Sequence, residues 1–503
     1  MIGRMSQSIR FPSWPLDRIR ALAAERGMHV WPVGGLVRDR LLGRETHDWD
    51  LVVPGDALKL ARAVADDLGG AFYPLDQERD TGRVVLRRKG QALNLDFAAL
   101  RAPDLEADLR LRDFTINAMA VGPDGELIDP TGGQADLVAR LVRATSEAAF
   151  DLDPLRMLRA VRLKAELGLR LEAKTAAWII ERAATLGRAS PERMRDEFVR
   201  IMAAPLPADH VHMLDELDLL AQLLPELPLL KEQRQSPPHR FDVWWHTLLV
   251  VEAADGLLRV LAGERPTLSY VDTSERVWVD AVERLGRFAP AVAAHMAALV
   301  TGGIERRVLF LLAALLHDIA KPLTCSEDED GRLHFYGHEP QGAVMARERL
   351  IALRFSRAAT ERVATVISAH LWPGHLARSA EGLSRRAAYR FFRATGDAGI
   401  DVALLSLADH ISVLGPGPLP ESWPRRLGVT EALLGHYFEQ AEEVVAPPPL
   451  IGGHDLMDEL GLRPGPEVGR LLEAVREAQA AGEVHTRQEA LALARALLGK
   501  GTF

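Results

Sequence analysis

Hydrophobic and polar positions follow two different periods along the chain, and the change of period divides it. Between about residue 12 and residue 145, short strand-like apolar runs alternate with amphipathic helical stretches, with glycine-rich turns between them. From about residue 150 onward the apolar positions recur at helical spacing. A polar loop containing prolines at 231–240 and a Pro/Gly-rich break at 415–424 interrupt the helical part. The pattern predicts an α+β protein whose strands lie near the N-terminus.

Length and composition indicate a multidomain globular protein. The chain has 503 residues, of which 48% are hydrophobic, so it can bury several cores. The longest apolar run, 308–316, is too short to cross a bilayer, and residues 1–17 lack the apolar core of a signal peptide. We therefore expect a cytoplasmic protein without a membrane partner. The single cysteine, Cys325, leaves histidine and aspartate as the metal ligands to look for.

A net charge of −9 does not exclude a nucleic-acid partner, because phosphates respond to the local field. Nine Lys and Arg residues lie between Arg156 and Arg200 on predicted helices. A solvated helix face is the alternative interpretation of such a run, and it is favoured only if no nucleotide motif accompanies it.

The most informative local pattern is a glycine turn between a predicted strand, 28–33, and a predicted helix. Gly34 and Gly35 let the backbone approach a ligand closely, and the first N–H groups of the helix favour an anion. Arg38 follows one turn into the helix and adds a positive charge. The turn is therefore predicted to bind a triphosphate.

A pair of carboxylates follows the turn. Asp48 and Asp50 are two apart in an apolar run, so on a strand they share one face and Trp49 takes the other. Carboxylates so close favour a shared hard cation, and Mg²⁺ is predicted there; Asp96 is a candidate third carboxylate. Either the turn or the pair alone is more often an ordinary turn or two solvated aspartates, but together they favour a nucleotidyl-transfer site.

Another polar cluster, Arg112, Asp113 and Asn117, lies on an otherwise apolar stretch and suits a ribose hydroxyl and a phosphate. Together with the glycine turn and the carboxylate pair, this cluster resembles motifs of the class II CCA-adding tRNA nucleotidyltransferase and bacterial poly(A) polymerase family. Five ordered motifs carry the resemblance: Gly34-Gly35 with Asp48 and Asp50; Arg112-Asp113; Asp129, Gly133 and Asp136-Leu137; Asp153 to Arg162; and Glu192-Arg193 with Glu197. The chain departs from the family at Leu111 and Leu152, where an Arg and a Glu are usual.

The resemblance implies a polymerase-beta-like mixed-sheet head followed by a helical neck, an HD domain and a tail. We expect these at 12–145, 146–235, 236–420 and 421–503. It implies attack of a tRNA 3′-hydroxyl on the α-phosphate of CTP or ATP, without a nucleic-acid template. Poly(A) polymerase is the alternative within the same chemistry.

Base selection is predicted for Asp153 and Arg156, which would be adjacent on one helix face. Their acceptor and donors match the amine and ring nitrogen shared by cytosine and adenine, whereas uracil and guanine would leave buried polar groups unpaired. Arg159 and Arg162 would follow phosphates along the same helix. In the family, a longer flexible segment than residues 97–111 helps the switch from CTP to ATP, so the short segment here also predicts an enzyme that adds only CC.

A second set of residues resembles the ordered ligands of an HD-domain phosphohydrolase. Its members are His246, His317, Asp318, His338, His370 and Asp409. Imidazoles with carboxylates suit transition metals or Mg²⁺ and can activate water against a phosphate ester. A metal-free helical module that supports tRNA is one alternative. A phosphohydrolase with a degenerate head is another, which intact Asp48 and Asp50 disfavour. Pro322 is expected to end the helix that carries the His-Asp pair, and His454-Asp455, in a predicted loop, is interpreted as structural.

Overall fold

The computed structural model describes residues 9–88, 90–379 and 382–499. The chain forms two compact units, the first containing residues 9–190 and 217–219 and the second residues 191–216 and 220–499. Residues 500–503 of the predicted tail lie outside the described residues. The finer division into head, neck, HD domain and tail stays a prediction.

A seven-stranded mixed sheet forms the centre of the first unit, which confirms the predicted fold class. Strands β2 and β5 run parallel, and every other neighbouring pair is antiparallel. The strands, given in chain order, are β1 (Trp31–Val33), β2 (Asp48–Val53), β3 (Ala71–Asp76), β4 (Thr81–Arg88), β5 (Gln91–Ala99), β6 (Ala120–Val121) and β7 (Leu127–Ile128). Their order in the sheet is β3-β4-β5-β2-β1-β6-β7.

Eight helices and a small parallel ladder complete this unit. The helices are α1 (Ser13–Ala24), α2 (Gly35–Leu41), α3 (Ala57–Leu68), α4 (Leu105–Arg110), α5 (Gly133–Ala139), α6 (Ala148–Leu152), α7 (Arg156–Leu167) and α8 (Ala173–Arg182). The ladder pairs β8 (Leu141–Val142) with β9 (Arg170–Leu171). Short 3-10 turns lie at Thr115–Asn117 and Ala183–Arg188.

Alternation along β2 fixes the orientation of its carboxylates. Trp49 and Leu51 are buried in the core that the sheet shares with α1 and α3. Val52 belongs to a separate apolar cluster that includes residues of α4. Because side chains alternate across a strand, Asp48 and Asp50 lie on the Val52 face, as predicted.

The first strand is shorter than predicted and lies inside the sheet. Only Trp31–Val33 of the predicted 28–33 is a strand, and β1 lies inside the sheet between β2 and β6. Its Pro32 is tolerated because β6 pairs with β1 only at Val33, so the ladder on that side does not require an N–H from Pro32.

The second unit is helical, as predicted for the chain beyond residue 150. Its α-helices are α9 (Pro191–Ala203), α10 (Pro207–Glu216), α11 (Leu220–Leu223), α12 (Val243–Leu261), α13 (Glu275–Leu285), α14 (Ala289–Ala297), α15 (Arg306–Leu316), α16 (Lys321–Thr324), α17 (His338–Ala352), α18 (Arg357–Ala369), α19 (Trp372–Leu376), α20 (Arg385–Thr395), α21 (Gly399–Ser412), α22 (Ser422–Phe438), α23 (Gly453–Leu460), α24 (Pro466–Ala480) and α25 (Arg487–Gly499). Two short antiparallel ladders pair β10 (Leu299–Val300) with β11 (Ile304–Glu305) and β12 (Ser326–Glu327) with β13 (Leu333–His334). Further 3-10 turns lie at Leu227–Leu230, Gly286–Phe288 and Gly396–Ala398, and a π-helical turn at Ala441–Val445.

The apolar run predicted as a core helix is the centre of this unit. Every residue from Val308 to Leu316 in α15 is buried, as expected of a helix that is apolar on all sides. It packs against α9, α12 and α18. Among the described helices, none combines the length and the apolar character that crossing a bilayer requires.

The end of α15 corrects one expectation. The helix ends at Leu316 and not near Pro322, which lies in the first turn of α16, a position where its missing N–H costs no hydrogen bond. The His-Asp pair therefore follows the helix directly.

The C-terminal helices have their own apolar core, to which α23, α24 and α25 contribute, and ion pairs tie them to α20. Arg390 Nη2 lies 2.6 Å from Glu477 Oε1, and Arg393 Nε lies 3.0 Å from Glu473 Oε1. His454 and Asp455 lie inside α23 and not in a loop. Asp455 accepts a hydrogen bond from Gly452 N at 2.7 Å, so it caps the helix.

Candidate active sites

The glycine turn forms as predicted, and Gly34 is confined by the groups around it. Its φ of +68° and ψ of −134° suit glycine alone. A Cβ at Gly34 would lie 3.1 Å from Arg112 Nη1 and 3.2 Å from Asp50 Oδ2. The bare backbone therefore allows a cation and a carboxylate to approach the start of α2 from other elements.

Register brings the three predicted carboxylates to one place in the sheet. The parallel pairing of β2 with β5 sets Asp50 beside Asp96 and Asp48 beside Asn94. Asn94 Nδ2 donates to Asp48 Oδ1 at 2.7 Å. The pKa of Asp50 is raised to about 6, chiefly by burial and also by Asp96 and Asp48, whereas Arg112 and Arg38 oppose the shift. Carboxylates this crowded favour a divalent cation.

The sequence interpretation missed Arg83, which contacts one of these carboxylates. Arg83 lies opposite Asp96 in the antiparallel pair of β4 and β5. Its Nε and Nη2 donate to the two oxygens of Asp96, both at 2.7 Å. Asp96 is thus held by a bidentate ion pair, while no such pair holds Asp50 among the residues that the structure describes.

Hydrogen bonds connect the turn to the predicted ribose and base sites. Arg38 Nη1 donates to Asn117 Oδ1 at 2.7 Å, and Asn117 Nδ2 donates to Asp113 Oδ1 at 3.2 Å. Asp113 Oδ2 accepts from Arg159 Nη1 at 2.9 Å. A continuous polar network therefore joins α2 to α7.

Asp113 is buried within this network, and its oxygens accept hydrogen bonds from the protein itself. The Phe114 backbone N–H donates to Oδ1 at 2.8 Å. Burial raises the pKa of Asp113, but Arg159 and Arg156 outweigh it and the net shift is downward. The carboxylate stays charged and orients its neighbours. Its predicted ribose contact stays a prediction.

The base-selecting pair is arranged differently from the prediction. Asp153 precedes α7 in extended backbone, with φ −154° and ψ 101°, and Arg156 is the first residue of that helix. They do not share a helix face, because Asp153 lies before the helix begins. Arg156 Nη1 donates to the carbonyl oxygens of Leu111 and Ala149, both at 3.2 Å. Arg162 lies further along α7, with Nε 3.7 Å from Glu166 Oε2.

The six predicted HD residues converge in the second unit around Asp318. Its Oδ2 lies 3.0 Å from His317 Nε2 and 3.4 Å from His246 Nε2. Its Oδ1 lies 3.4 Å from His338 Nε2 and 4.0 Å from His370 Nε2. Asp409 joins the group through His246, with Oδ1 3.2 Å from Nε2.

The other ring nitrogens explain why these histidines present Nε2 to the centre. His317 and His370 each follow the last residue of a helix, and their Nδ1 atoms lie 2.8 and 2.7 Å from the carbonyl oxygens of Ala314 and Ile367. These are last-turn carbonyls that lack a helical partner. His338 Nδ1 lies 2.7 Å from the Phe335 oxygen. A protonated Nδ1 leaves a lone pair on each Nε2.

Buried polar atoms that lack hydrogen-bond partners indicate whether this centre can hold a metal ion. Nε2 of His246, His317 and His338 is buried without a hydrogen-bond partner in the described part of the chain. Lone pairs of imidazoles and a carboxylate that face one another repel unless a cation lies between them. The donor set therefore fits a divalent metal ion.

Three further residues border this centre and were missed from the sequence. Lys321 Nζ lies 2.6 Å from Asp318 Oδ2 and donates to Gln235 Oε1 at 2.6 Å. The His239 ring lies 4.8 Å from that of His246, and burial lowers the pKa of His239 to about 4. Lys321 could have been found from its i+3 spacing to Asp318, but the loop at 231–240 carried no signal.

Comparison with known protein families divides the chain in the same order. Four family profiles match: poly A polymerase head domain at 30–143, probable RNA and SrmB-binding site of polymerase A at 168–230, HD domain at 286–414, and tRNA nucleotidyltransferase domain 2 at 430–494. His246 lies outside the HD match, although the structure places it in the cluster.

Similar proteins cover nearly the whole chain. An A-adding tRNA nucleotidyltransferase of Deinococcus radiodurans is 36% identical over 92% of this chain and 93% of its own length. A CC-adding tRNA nucleotidyltransferase of Thermus thermophilus is 35% identical over 92% of both chains. A CCA-adding enzyme solved with CTP shares the fold with a TM-score of 0.63 at 22% identity, covering 98% of this chain and 96% of its own. The chain therefore belongs to the tRNA nucleotidyltransferase family, as a nucleotidyltransferase with a poly(A) polymerase head domain and an HD domain.

Proposed function

We propose that the head transfers nucleotides from CTP or ATP to the 3′ end of tRNA without a nucleic-acid template, and that this chain adds only the two cytidines. The main support for the transfer reaction is the convergence of Asp48, Asp50 and Asp96 beside the glycine turn. Because its substrate would be tRNA, we also propose a cytoplasmic location.

The residues of the head would have separate roles in the reaction. Asp48 and Asp50 would hold Mg²⁺, which supplies a Lewis acid for the attacking hydroxyl and the leaving pyrophosphate. Gly35 and Arg38 would orient the triphosphate, and Arg112, whose Nη1 lies 3.1 Å from where a Gly34 Cβ would be, would hold the sugar. Asp153 and Arg156 would select a base with an amine beside a ring acceptor, because a mismatched base leaves buried polar groups unpaired.

Restriction to CC rests on the segment between β5 and Arg112. Leu105 and Leu109 of α4 are buried in the cluster that contains Val52. Asp108 accepts a hydrogen bond from Arg101 N at 2.9 Å and lies 3.4 Å from Arg112 Nη2. The segment is thus folded onto the head, whereas family members that switch to ATP are expected to carry a longer flexible segment here.

Addition of the complete CCA, which the family resemblance implies, is one competing specificity. Addition of A alone, which the name of the Deinococcus radiodurans relative favours, is another. Full-length tRNA transcripts that end before CCA, after one C and after two C separate the specificities when incubated with CTP, ATP or both. We expect extension to CC with CTP and no further growth with ATP. Extension of the CC-ended transcript by one A would contradict CC-addition, and long A tracts on unrelated RNA would indicate a poly(A) polymerase. Asp48→Ala should abolish every extension.

We further propose that the HD centre is a metal-dependent phosphohydrolase acting on 2′,3′-cyclic phosphates or phosphomonoesters at RNA ends. The observation that carries this is the set of buried Nε2 atoms without partners around Asp318. Bound to Mg²⁺ or a transition metal, the centre would supply an activated water. A module that only supports tRNA would need no such set.

Elemental analysis and a hydrolysis assay on 2′,3′-cyclic CMP test this second activity. Wild-type protein should retain a divalent metal and release product. His317→Ala should lose both while keeping nucleotide transfer. Wild-type protein that neither retains metal nor hydrolyses phosphate esters would leave the supporting role as the explanation.

A further inference from the structure

A cation beside the HD centre is used by neither proposed reaction. Arg426 lies near the start of α22. One turn earlier, Ser422 Oγ lies 3.2 Å from His410 Nε2, and the Trp423 ring stacks on His410 at 6.4 Å with an interplanar angle of 19°. Because residues three and four apart share a helix face, Arg426 lies on the same side of α22 as these two residues, which contact the neighbour of the predicted ligand Asp409.

A glycine makes room for the Arg426 guanidinium. A Cβ at Gly374 in α19 would lie 2.3 Å from Arg426 Nη1 and 2.8 Å from its Cζ. Helix α19 packs against both α21, which carries Asp409, and α22. Any side chain at Gly374 would push the guanidinium out of this place, so the position of the charge depends on the glycine.

The charge of Arg426 is not neutralised by an ion pair of its own. Within the described part of the chain, its guanidinium has neither a hydrogen-bond acceptor nor a carboxylate at ion-pair distance. Burial lowers the pKa of Arg426, Asp409 opposes that shift, and the positive charge of Arg378 adds to it. A guanidinium without an ion pair, next to a carboxylate that a metal would engage, favours a bound anion.

We propose that Arg426 binds the phosphate group of the substrate of the HD centre. The guanidinium presents paired N–H donors that match two phosphate oxygens, which a lysine cannot do. The phosphorus would then be held between this cation and the metal ligands. This inference rests on the proposed phosphohydrolase function and names the residue that recognises its substrate class, a terminal or cyclic phosphate ester.

The test measures phosphate binding apart from catalysis. Full-length protein with Asp48→Ala, which disables the head site, is loaded with Mn²⁺ and titrated with inorganic phosphate by calorimetry, and its metal content is determined. Arg426→Ala should weaken phosphate binding at least tenfold with metal content unchanged, and Arg426→Lys should recover part of the loss. Gly374→Ala should weaken it severalfold without removing any charge.

Arg425→Ala is the matched control, because Arg425 is exposed and lies 3.7 Å from Glu421 on the same helix; we expect phosphate affinity within twofold of the parent. Unchanged affinity in Arg426→Ala and Gly374→Ala would overturn the proposal. Loss of metal in parallel with phosphate would also overturn it, since Arg426 would then support Asp409. If the parent binds phosphate through Arg426 but hydrolyses no ester, the phosphohydrolase function fails and the phosphate site stands.

Discussion

The pKa and the ion pairing of a charged side chain in this protein depend more on its surroundings than on its residue type. Asp50 and Asp96 are neighbours in the sheet, yet Arg83 forms its bidentate ion pair with Asp96. Asp50 remains with a pKa raised to about 6 by burial and by the other carboxylates. In the folded protein without metal, ionisation of Asp50 therefore costs free energy. That cost is relieved when a cation binds, which links metal affinity to stability.

Asp50→Asn should consequently stabilise the metal-free protein at alkaline pH. The pKa of Asp50 is higher in the folded than in the unfolded protein, so its favourable contribution is complete below about pH 4 and is lost as the pH rises through about 6. Allowing for partial exposure, we expect the free energy of unfolding at pH 8 to rise by about 1–3 kcal/mol in chelator, with little change at pH 4. Urea denaturation measures both, with exposed Asp48→Asn as control. An equal effect at the two pH values would refute the electrostatic origin.

Gly34→Ala should abolish transfer without unfolding the head. The alanine must adopt a φ near +68° and meets Arg112 and Asp50. We expect a loss of about 1–3 kcal/mol of stability and at least a hundredfold loss in CMP incorporation. Gly43→Ala, with a φ of +70° and open space around its Cβ, is the control for strain alone and should keep most activity. Comparable loss of activity in both variants would show that strain, and not crowding of the site, is responsible.

At the scale of elements, sequence patterns located the turns and helices, but not the contacts between distant segments. The glycine turn, the carboxylate face of β2 and the buried α15 follow from local periodicity and residue type. The partner of Asp96 does not, because the pairing of Arg83 with Asp96 depends on the register of β4 against β5. The interior place of β1 likewise depends on β6, some 90 residues later. The three-residue spacing of Asp153 and Arg156 suits a continuous helix equally well. The sequence therefore did not show that α7 begins after Asp153.

Helix α4 is the element on which the proposed restriction to CC depends. Leu109 is fully buried against the sheet, whereas Leu111, just after the helix, is 45% exposed. Leu109→Ala should therefore lower the free energy of unfolding by about 2–4 kcal/mol, and Leu111→Ala by less than about 0.5 kcal/mol. If a folded segment restricts the enzyme to CC, only Leu109→Ala should begin to add A to a CC-ended tRNA. Similar denaturation midpoints for the two variants would contradict the packing argument.

At the scale of the molecule, two centres with different ligand chemistry are built from separate sets of residues. Carboxylates dominate the site of the first unit, and imidazoles that of the second. No described residue belongs to both sites, and each site is enclosed within its own compact unit. Substitutions that share no partners act additively. The two activities should therefore be separable by mutation.

The double substitution Asp48→Ala with His317→Ala makes this separation testable. Asp48→Ala should remove CMP transfer and leave hydrolysis of 2′,3′-cyclic CMP within about twofold, since sites without shared partners change independently. His317→Ala should do the reverse, because it removes an imidazole whose Nε2 faces Asp318. In the double variant, each activity should fall by the same factor as in the corresponding single variant. A fall in CMP transfer in His317→Ala, with the head still binding CTP, would mean that the HD centre contributes to nucleotide transfer and that the two units work as one catalytic machine.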